Sequence, residues 1–196
     1  MTSRDASMAA EGVVIRRAEL DEAKSVLESV WKLAKDSGAA HWSRAAFYPY
    51  VSTDESSGAL QAKCMFLACV TGSMGATEPT GGDSPLVIEE RVVGFAAFSA
   101  ILTAGAGEST LENMAVAAAW QGRGIGGRLL AAGLLWCRAH AAGAVFLEVR
   151  KSNLAAIALY ERAGFSAVGN RPGYYREPAE DGLQMQKPLE FVPRAG

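Results

Sequence analysis

The sequence predicts an α/β (α+β) fold, in which a mixed β-sheet of about six to seven strands carries helices on both faces. Short β-branched or apolar runs alternate along the chain with longer segments whose apolar residues recur every three or four positions. The run AVFLEV at residues 144–149 is almost continuously apolar, as in strands covered on both faces. The chain has 196 residues, of which 49% are hydrophobic and 20% are charged, so it can bury a sizeable core.

The first part of the chain predicts two strands separated by helical segments. Residues 13–18 are a β-branched run and form the first expected strand. Asp21 is placed to cap a helix that ends near Gly38, and residues 45–51 predict a second, shorter helical segment. Residues 65–70 form the second expected strand.

The domain boundaries and one long loop follow from composition. Residues 1–10 are small and polar without periodicity, so we expect a flexible leader before a single domain at residues 11–196. Residues 72–90 are rich in Gly, Thr, Ser, Pro and acidic residues and predict a loop. Loops of this length are uncommon in compact domains, which leaves a mobile or a functional segment as the alternatives. Residues 91–101 and 109–116 are the third and fourth expected strands.

The second half of the chain predicts a helix, the strand at 144–149, a second helix and two final strands. Apolar positions after a cluster of glycines predict a helix over residues 128–142, stopped by Gly143. Asn153 is placed to cap a further helix that ends at Gly164. The last strands are expected around Val168 with residues 174–175, and at residues 183–189.

Composition and charge exclude several classes of protein. Nineteen basic and 21 acidic residues give a net charge of −2 without a basic run, which argues against nucleic-acid binding. No stretch approaches the ~20 apolar residues of a membrane span, and residues 1–12 lack the apolar core of a signal peptide, so we expect a cytoplasmic protein. The two histidines and three cysteines show no metal-ligand spacing, so we expect no metal and reduced, structural thiols at Cys64, Cys69 and Cys137.

Four glycines fall within the six residues 122–127, directly before the helical segment. Glycine permits positive φ and close approach of a ligand, and a helix N-terminus presents unpaired N–H groups, so these residues predict phosphate binding. They also contain the G-x-G-x-x-G of a dinucleotide site, with Glu148 about twenty residues later. Residues 117–121 separate the glycines from the preceding strand, and only about seventy residues follow. This context disfavours a nicotinamide-dependent enzyme.

Gln121-x-x-Gly124-x-Gly126 resembles the acetyl-CoA pyrophosphate loop of the GNAT acyltransferase superfamily. The segment LEVRKSNLAAIALYERAGF at residues 147–165 is similar to the second half of that signature, in the form found in bacterial RimI-type ribosomal-protein alanine N-acetyltransferases. The resemblance is specific over residues 111–189. It departs from the family pattern at Ala117-Ala118, where Asp-Pro is common, and at Ala40-His41, where Phe-Pro is common.

The resemblance implies acetyl-CoA as the co-substrate and a set of backbone and side-chain contacts to it. The pyrophosphate is expected to lie on the loop formed by Gly122, Arg123, Gly124, Ile125, Gly126 and Gly127. The pantetheine arm is expected to align with Met114, Ala115 and Val116 like an added strand, and Asn153 is a further expected contact.

Glu148 is the candidate general base. A carboxylate in an otherwise apolar strand seldom lacks a partner or a function. An ion pair with Arg150, Lys151 or Arg176 explains it as well as catalysis does, and the resemblance favours catalysis.

Tyr160 is the candidate acid for the CoA thiolate by the same resemblance. Without the motif it reads as a core tyrosine that shares a helix face with Ala156 and Ala163. Because a phenol with a pKa of ~10 is a weaker acid than a thiol at ~8.5, a hydrogen bond to the developing thiolate is an alternative to full proton transfer.

The acceptor is expected to be a protein N-terminal α-amine of the ribosomal-protein alanine type, acetylated by direct transfer in a monomer or homodimer. An α-amine has a reference pKa of ~7.7–8.0 against ~10.4 for lysine, so one carboxylate deprotonates it more easily. Acetylation of a small-molecule amine or a lysine, and a non-catalytic acyl-CoA-binding module, remain as alternatives. His41 and Trp42 either line the acceptor pocket or pack on the core.

Overall fold

The protein is described here by a computed structural model. It describes residues 12–19, 22–37, 42–51, 61–73, 88–101, 107–140 and 142–190. The expected leader, Asp21, Gly38 and His41 lie outside the described residues.

Seven strands form one sheet in the order β1-β2-β3-β4-β5-β7-β6, and every neighbouring pair is antiparallel except β4 and β5. The mixed sheet predicted from the sequence is therefore confirmed. The strands are β1 (Val13–Arg17), β2 (Gln61–Ser73), β3 (Ile88–Ile101), β4 (Gly107–Val116), β5 (Ala142–Arg150), β6 (Ser166–Arg176) and β7 (Ala179–Pro188). The helices are α1 (Ala23–Asp36), α2 (Ile125–Ala139) and α3 (Leu154–Arg162), with 3-10 helices at Arg44–Tyr50 and Ala118–Trp120.

The core has one apolar cluster on each face of the sheet. Along β2, Met65 and Leu67 point to the face covered by α1 and the first 3-10 helix, whereas Cys64 and Ala68 point to the face covered by α2 and α3. This alternation is the period of two that a strand imposes on its side chains. Helices therefore lie on both faces, as predicted. All three cysteines are buried and free, also as predicted.

Several predicted boundaries are wrong, and each has a local cause. The predicted loop at 72–90 is too long, because Gly72 and Ser73 continue β2 and pair with Glu89 and Ile88 at the start of β3. Their polar, glycine-containing sequences give no strand signal, yet they extend a hairpin that backbone hydrogen bonds hold together. Residues 74–87 of the predicted loop lie outside the described residues.

The helix predicted over residues 128–142 runs instead from Ile125 to Ala139. Its first turn uses the glycines themselves, and Gly143 does not stop it but lies in β5. The helix predicted to start at Asp21 has Glu22 as its N-cap residue. The segment predicted at 45–51 is a 3-10 helix that contains Pro49, a residue without an N–H group to donate.

Strands β4 and β5 pair over only part of their length. The parallel pairing begins at Gly107 with Ala142 and ends at Leu111 with Leu147. Strand β4 continues to Val116 and β5 continues to Arg150, so their carboxyl-terminal portions diverge. We call the space between residues 112–116 and 148–150 the strand gap.

A bulge in β4 lies at the start of the strand gap. Ala97 of β3 pairs with Asn113 and Phe98 pairs with Leu111, which leaves Glu112 as the extra residue of β4. Leu111 belongs to the apolar cluster on the α2 and α3 face, so the next residue, Glu112, points to the α1 face, where the Ser99 hydroxyl donates to it.

Candidate active site

The glycine loop ends in an open helix N-terminus. Gly122 and Gly124 have φ angles of 74° and 76°, which side chains with a Cβ rarely adopt. Gly124 is the N-cap residue of α2 and offers no side-chain cap, and the first backbone bond of the helix runs from the Arg128 N–H to the Gly124 carbonyl. The amides of residues 125–127 therefore precede the helical hydrogen bonds. Such amides and the positive end of the helix dipole favour an anion.

Two side chains fix the shape of this loop. The Arg123 guanidinium lies over the Trp120 ring, 4.8 Å from its centroid. The Gln121 side-chain amide donates to the Val116 carbonyl at 2.9 Å, which ties the loop to the end of β4. Arg128, by contrast, donates to the Val13 carbonyl at 2.8 Å and so contacts β1. Arg123 is therefore the arginine of this segment that belongs to the loop.

The edge of β4 offers backbone amides to the strand gap. The Ala117 N–H donates to the Val93 carbonyl at 2.9 Å, toward β3. Alternation along the strand then directs the Ala115 amide to β3 as well, and directs the amides of Met114 and Val116 into the strand gap. Two of the three residues predicted to contact pantetheine thus present a donor there, and Ala115 contributes a buried side chain on the α1 face.

Glu148 is the first residue of β5 beyond its pairing with β4, and it still pairs with β7 on the other side. Its neighbours Leu147 and Val149 belong to the apolar cluster on the α2 and α3 face, so Glu148 points to the α1 face. Its side chain is 21% exposed, and one oxygen lies 3.6 Å from Arg171 Nε. The carboxylate thus remains accessible from the strand gap.

An ion pair was the alternative explanation of Glu148, and its partner in the structure is Arg171 rather than Arg150 or Lys151. Arg150 instead binds Glu180, and Lys151 binds Asp181 at 3.1 Å. Arg171 comes from β6, and sequence spacing gave no signal for it because β7 lies between β6 and β5 in the sheet.

Tyr160 lies on the opposite face of the sheet from Glu148. It is 7% exposed in the cluster formed with α2 and α3, and its ring meets Phe165 edge-on at 5.9 Å. Burial, together with nearby Tyr175, raises the pKa of Tyr160 well above the ordinary value for a phenol. The hydroxyl therefore keeps its proton and can donate a hydrogen bond.

Asn153 caps α3, as predicted, by accepting a hydrogen bond from the Ala156 N–H at 3.1 Å. The turn before it is held by Glu180, whose carboxylate accepts from the Ser152 N–H at 2.6 Å and from the Ser152 hydroxyl at 3.0 Å. Arg150 also donates to Glu180, so β5, the start of α3 and β7 are fixed to one another. The sequence gives no signal for this role of Glu180, because its partners lie about 30 residues away along the chain.

Tyr174 and Tyr175 extend the site along β6. Burial and the charge of Glu148 raise the pKa of Tyr174, and burial and Tyr174 raise the pKa of Tyr175 to about 12. Both rings are therefore neutral phenols beside Glu148. Asp181 accepts from the Gly173 N–H at 2.9 Å and so fixes the segment that carries the tyrosines.

A family model described as "Acetyltransferase (GNAT) family" matches residues 38–165, about two thirds of the chain. The chain belongs to the GNAT acetyltransferase family. The family resemblance inferred from the glycine loop and the following motif is thereby confirmed.

The GNAT chain is similar to two curated bacterial proteins. It is 42% identical to the N-alpha-acetyltransferase RimI of Mycobacterium tuberculosis over 96 aligned residues. The alignment covers 49% of this chain and 59% of that protein. It is 37% identical over 108 residues to the [ribosomal protein bS18]-alanine N-acetyltransferase of Salmonella typhimurium, which is 54% of this chain and 70% of that protein. Among solved structures, NAA60 of Arabidopsis thaliana in complex with acetyl-CoA has a TM-score of 0.67 at 15% identity, with 90% and 98% of the two chains covered.

The structure also bears on Trp42, on metal binding and on membrane-spanning helices. Trp42 packs against Phe47 and Tyr50, with ring centroids 5.0 Å apart in both pairs, so it contributes to the core of the α1 face. Within the described ranges, no group of three His, Cys, Asp or Glu side chains is placed to hold a metal ion. No described helix combines the length and apolar character needed to cross a bilayer.

Proposed function

We propose that the protein transfers acetyl from acetyl-CoA to the α-amine of a protein N-terminus, of the ribosomal-protein alanine type. The observation that supports this proposal is that Glu148, at the strand gap, points to the α1 face, whereas the glycine loop begins α2 and Tyr160 is buried on the opposite face. The glycine loop and Tyr160 belong to the α2 and α3 face, which is the donor side. Glu148 is open to the α1 face, which is the acceptor side.

The donor side fits the chemistry of an acyl-CoA. The amides of residues 125–127 would bind the pyrophosphate, with Arg123 on Trp120 adding positive charge. The amides of Met114 and Val116 would hydrogen-bond the pantetheine arm and polarise the thioester carbonyl. Gln121 holds the Val116 carbonyl, which keeps this edge of β4 in place.

The acceptor side supplies the proton transfer. Glu148 takes a proton from the incoming ammonium, and the free amine nitrogen attacks the thioester carbon as the carbon–sulfur bond breaks. Tyr160 donates a hydrogen bond to the departing sulfur. The sulfur takes up the second proton that the amine nitrogen loses as the amide forms. No side-chain nucleophile is needed, and the described cysteines are buried in the core away from the strand gap.

An N-terminal α-amine fits this arrangement better than a lysine. Its reference pKa of ~7.7–8.0 lies well below the ~10.4 of lysine, so deprotonation costs roughly 3–4 kcal/mol less. The names of the two curated relatives point to the same acceptor class. A cytoplasmic location accompanies this acceptor.

The acceptor class can be tested by measuring CoA release with purified protein. We expect turnover with an alanine-initiated peptide of ribosomal-protein sequence and little with the same peptide N-terminally blocked but carrying a free lysine. Polyamines serve as the small-molecule comparison. Turnover with polyamines alone would indicate the small-amine alternative, and binding of acetyl-CoA without any turnover would indicate a regulatory module.

Gly124→Ala tests the glycine loop as the acetyl-CoA site. A Cβ at this φ costs roughly 1–2 kcal/mol, which the loop can relieve only by changing shape. We expect the Kd for acetyl-CoA, measured by calorimetry, to rise about tenfold. Gly173→Ala is the matched control, because Gly173 also has a positive φ of 61° and nothing within 4 Å of an added Cβ. An equal rise of the Kd in both variants would refute a specific role of the loop.

A further inference from the structure

A second carboxylate stands opposite Glu148 at the entrance of the strand gap. The last paired residues of β4 and β5 are Leu111 and Leu147, so Glu112 and Glu148 are the next residues of their strands. Glu148 points to the α1 face, and so does Glu112, because Leu111 before it packs on the α2 and α3 face. The acceptor side thus has one carboxylate on each wall.

Ser99 fixes the orientation of Glu112. The Ser99 hydroxyl, on β3, donates to Glu112 Oε1 at 2.6 Å. Ser99 is itself 4% exposed, so it is a firm support on the sheet rather than a mobile surface group. A hydroxyl is a neutral partner, and among the described residues none of the ion pairs includes Glu112. Glu112 is also exposed.

Two tyrosines place Glu112 within the acceptor side. Burial and then the charge of Glu112 raise the pKa of Tyr50, which ends the first 3-10 helix. Burial, then Glu148 and, more weakly, Glu112 raise the pKa of Tyr174 on β6. The charge of Glu112 therefore acts on the hydroxyls of both Tyr50 and Tyr174, and the charge of Glu148 acts on the Tyr174 hydroxyl as well. Two carboxylates beside neutral phenols attract a cation, and the positive charges nearby are Arg171, 3.6 Å from Glu148, and Lys63, whose ammonium lies 5.1 Å from the Tyr50 ring centroid.

We propose that Glu112 binds the ammonium group of the acceptor on the acceptor side and holds it for Glu148, an inference that rests on the proposed function. The two carboxylates have different surroundings, which separates their tasks. Arg171 lies beside Glu148, whereas Glu112 accepts from the Ser99 hydroxyl and belongs to none of the ion pairs among the described residues. Glu112 attracts and positions the protonated amine, and Glu148 accepts its proton.

The substrate class follows from this pair of carboxylates. An acceptor with a single positive charge at its end, such as a peptide α-ammonium followed by uncharged residues, is favoured. A peptide with an acidic second or third residue is disfavoured because its carboxylate would approach Glu112 and Glu148.

Glu112→Gln is the test, with steady-state kinetics on the alanine-initiated peptide. We expect the KM for the peptide to rise about five- to tenfold, with kcat and the KM for acetyl-CoA changed less than about twofold. The KM of the wild type should increase with salt because the attraction is screened, and the variant should lose most of that dependence. Glu108→Gln is the matched control, since Glu108 is an exposed carboxylate on the same strand.

A second variant separates charge from folding. Ser99→Ala keeps the Glu112 carboxylate but removes its hydrogen bond, so we expect a smaller rise in peptide KM, about two- to threefold, with the salt dependence retained. If the wild type acetylates the peptide and Glu112→Gln has the same KM for it, the role of Glu112 is overturned but the proposed function stands. Absence of peptide turnover in the wild type would overturn the proposed function, and this inference with it.

Discussion

Glu148→Gln is expected to lower kcat by about 10²–10⁴, the range in which a general base contributes. The amide keeps the size of the side chain but cannot accept the proton of the acceptor. The loss should be largest below the amine pKa of ~7.7–8.0, where nearly all of the acceptor is protonated, and should shrink above it as free amine becomes available. The measurement is kcat against pH at saturating acetyl-CoA and peptide.

The folded state should tolerate this change. The substitution removes an ion pair whose arginine, Arg171, has a side chain 49% exposed, and exposed pairs contribute little to stability. Acetyl-CoA affinity should also remain, because the glycine loop lies on the other face of the sheet. Glu161→Gln, at an exposed position of α3, is the control. A kcat equal to that of the wild type below pH ~7.7 would remove Glu148 from the role of base.

Tyr160→Phe is expected to lower kcat by about 10- to 100-fold. The lost interaction is a hydrogen bond to a developing thiolate, and bonds to charged groups contribute roughly 1.5–3 kcal/mol. The ring keeps its packing against Phe165, so the Kd for acetyl-CoA should change little. Burial raises the pKa of Tyr160, so its ionisation should not appear in the pH dependence of the wild type.

The leaving group offers a sharper test of Tyr160. With acetyl thioesters whose thiols have lower pKa values, the sulfur needs less stabilisation, and the difference between Tyr160→Phe and the wild type should narrow. Tyr48→Phe, at a tyrosine that is 52% exposed, is the control for loss of a phenol hydroxyl. A large loss of acetyl-CoA affinity with unchanged kcat would show that Tyr160 binds the co-substrate and does not assist departure of the thiolate.

Local sequence predicted the features that short-range chemistry controls. The period of apolar residues located α1 and α2, the cap Asn153 with Gly164 located α3, and the composition of residues 144–149 located β5. The glycines at 122–127 predicted an open helix N-terminus because only residues without a Cβ adopt such φ angles easily. The predicted helix and strand boundaries were less accurate, because a single glycine can either end a helix or lie within a strand. Gly143 lies within a strand although it follows a helix closely.

The sequence alone determined the family and pointed to the glycines at 122–127 as the candidate donor-binding loop and to Glu148 and Tyr160 as the candidate catalytic pair. Only the tertiary structure decided how these parts face one another. Early termination of the β4–β5 pairing opens the strand gap, and the pleat of β5 directs Glu148 away from the face that holds Tyr160. The partners Arg171 and Ser99 come from other strands. Their contacts depend on sheet order and strand register, and neither property is encoded in residue spacing along the chain.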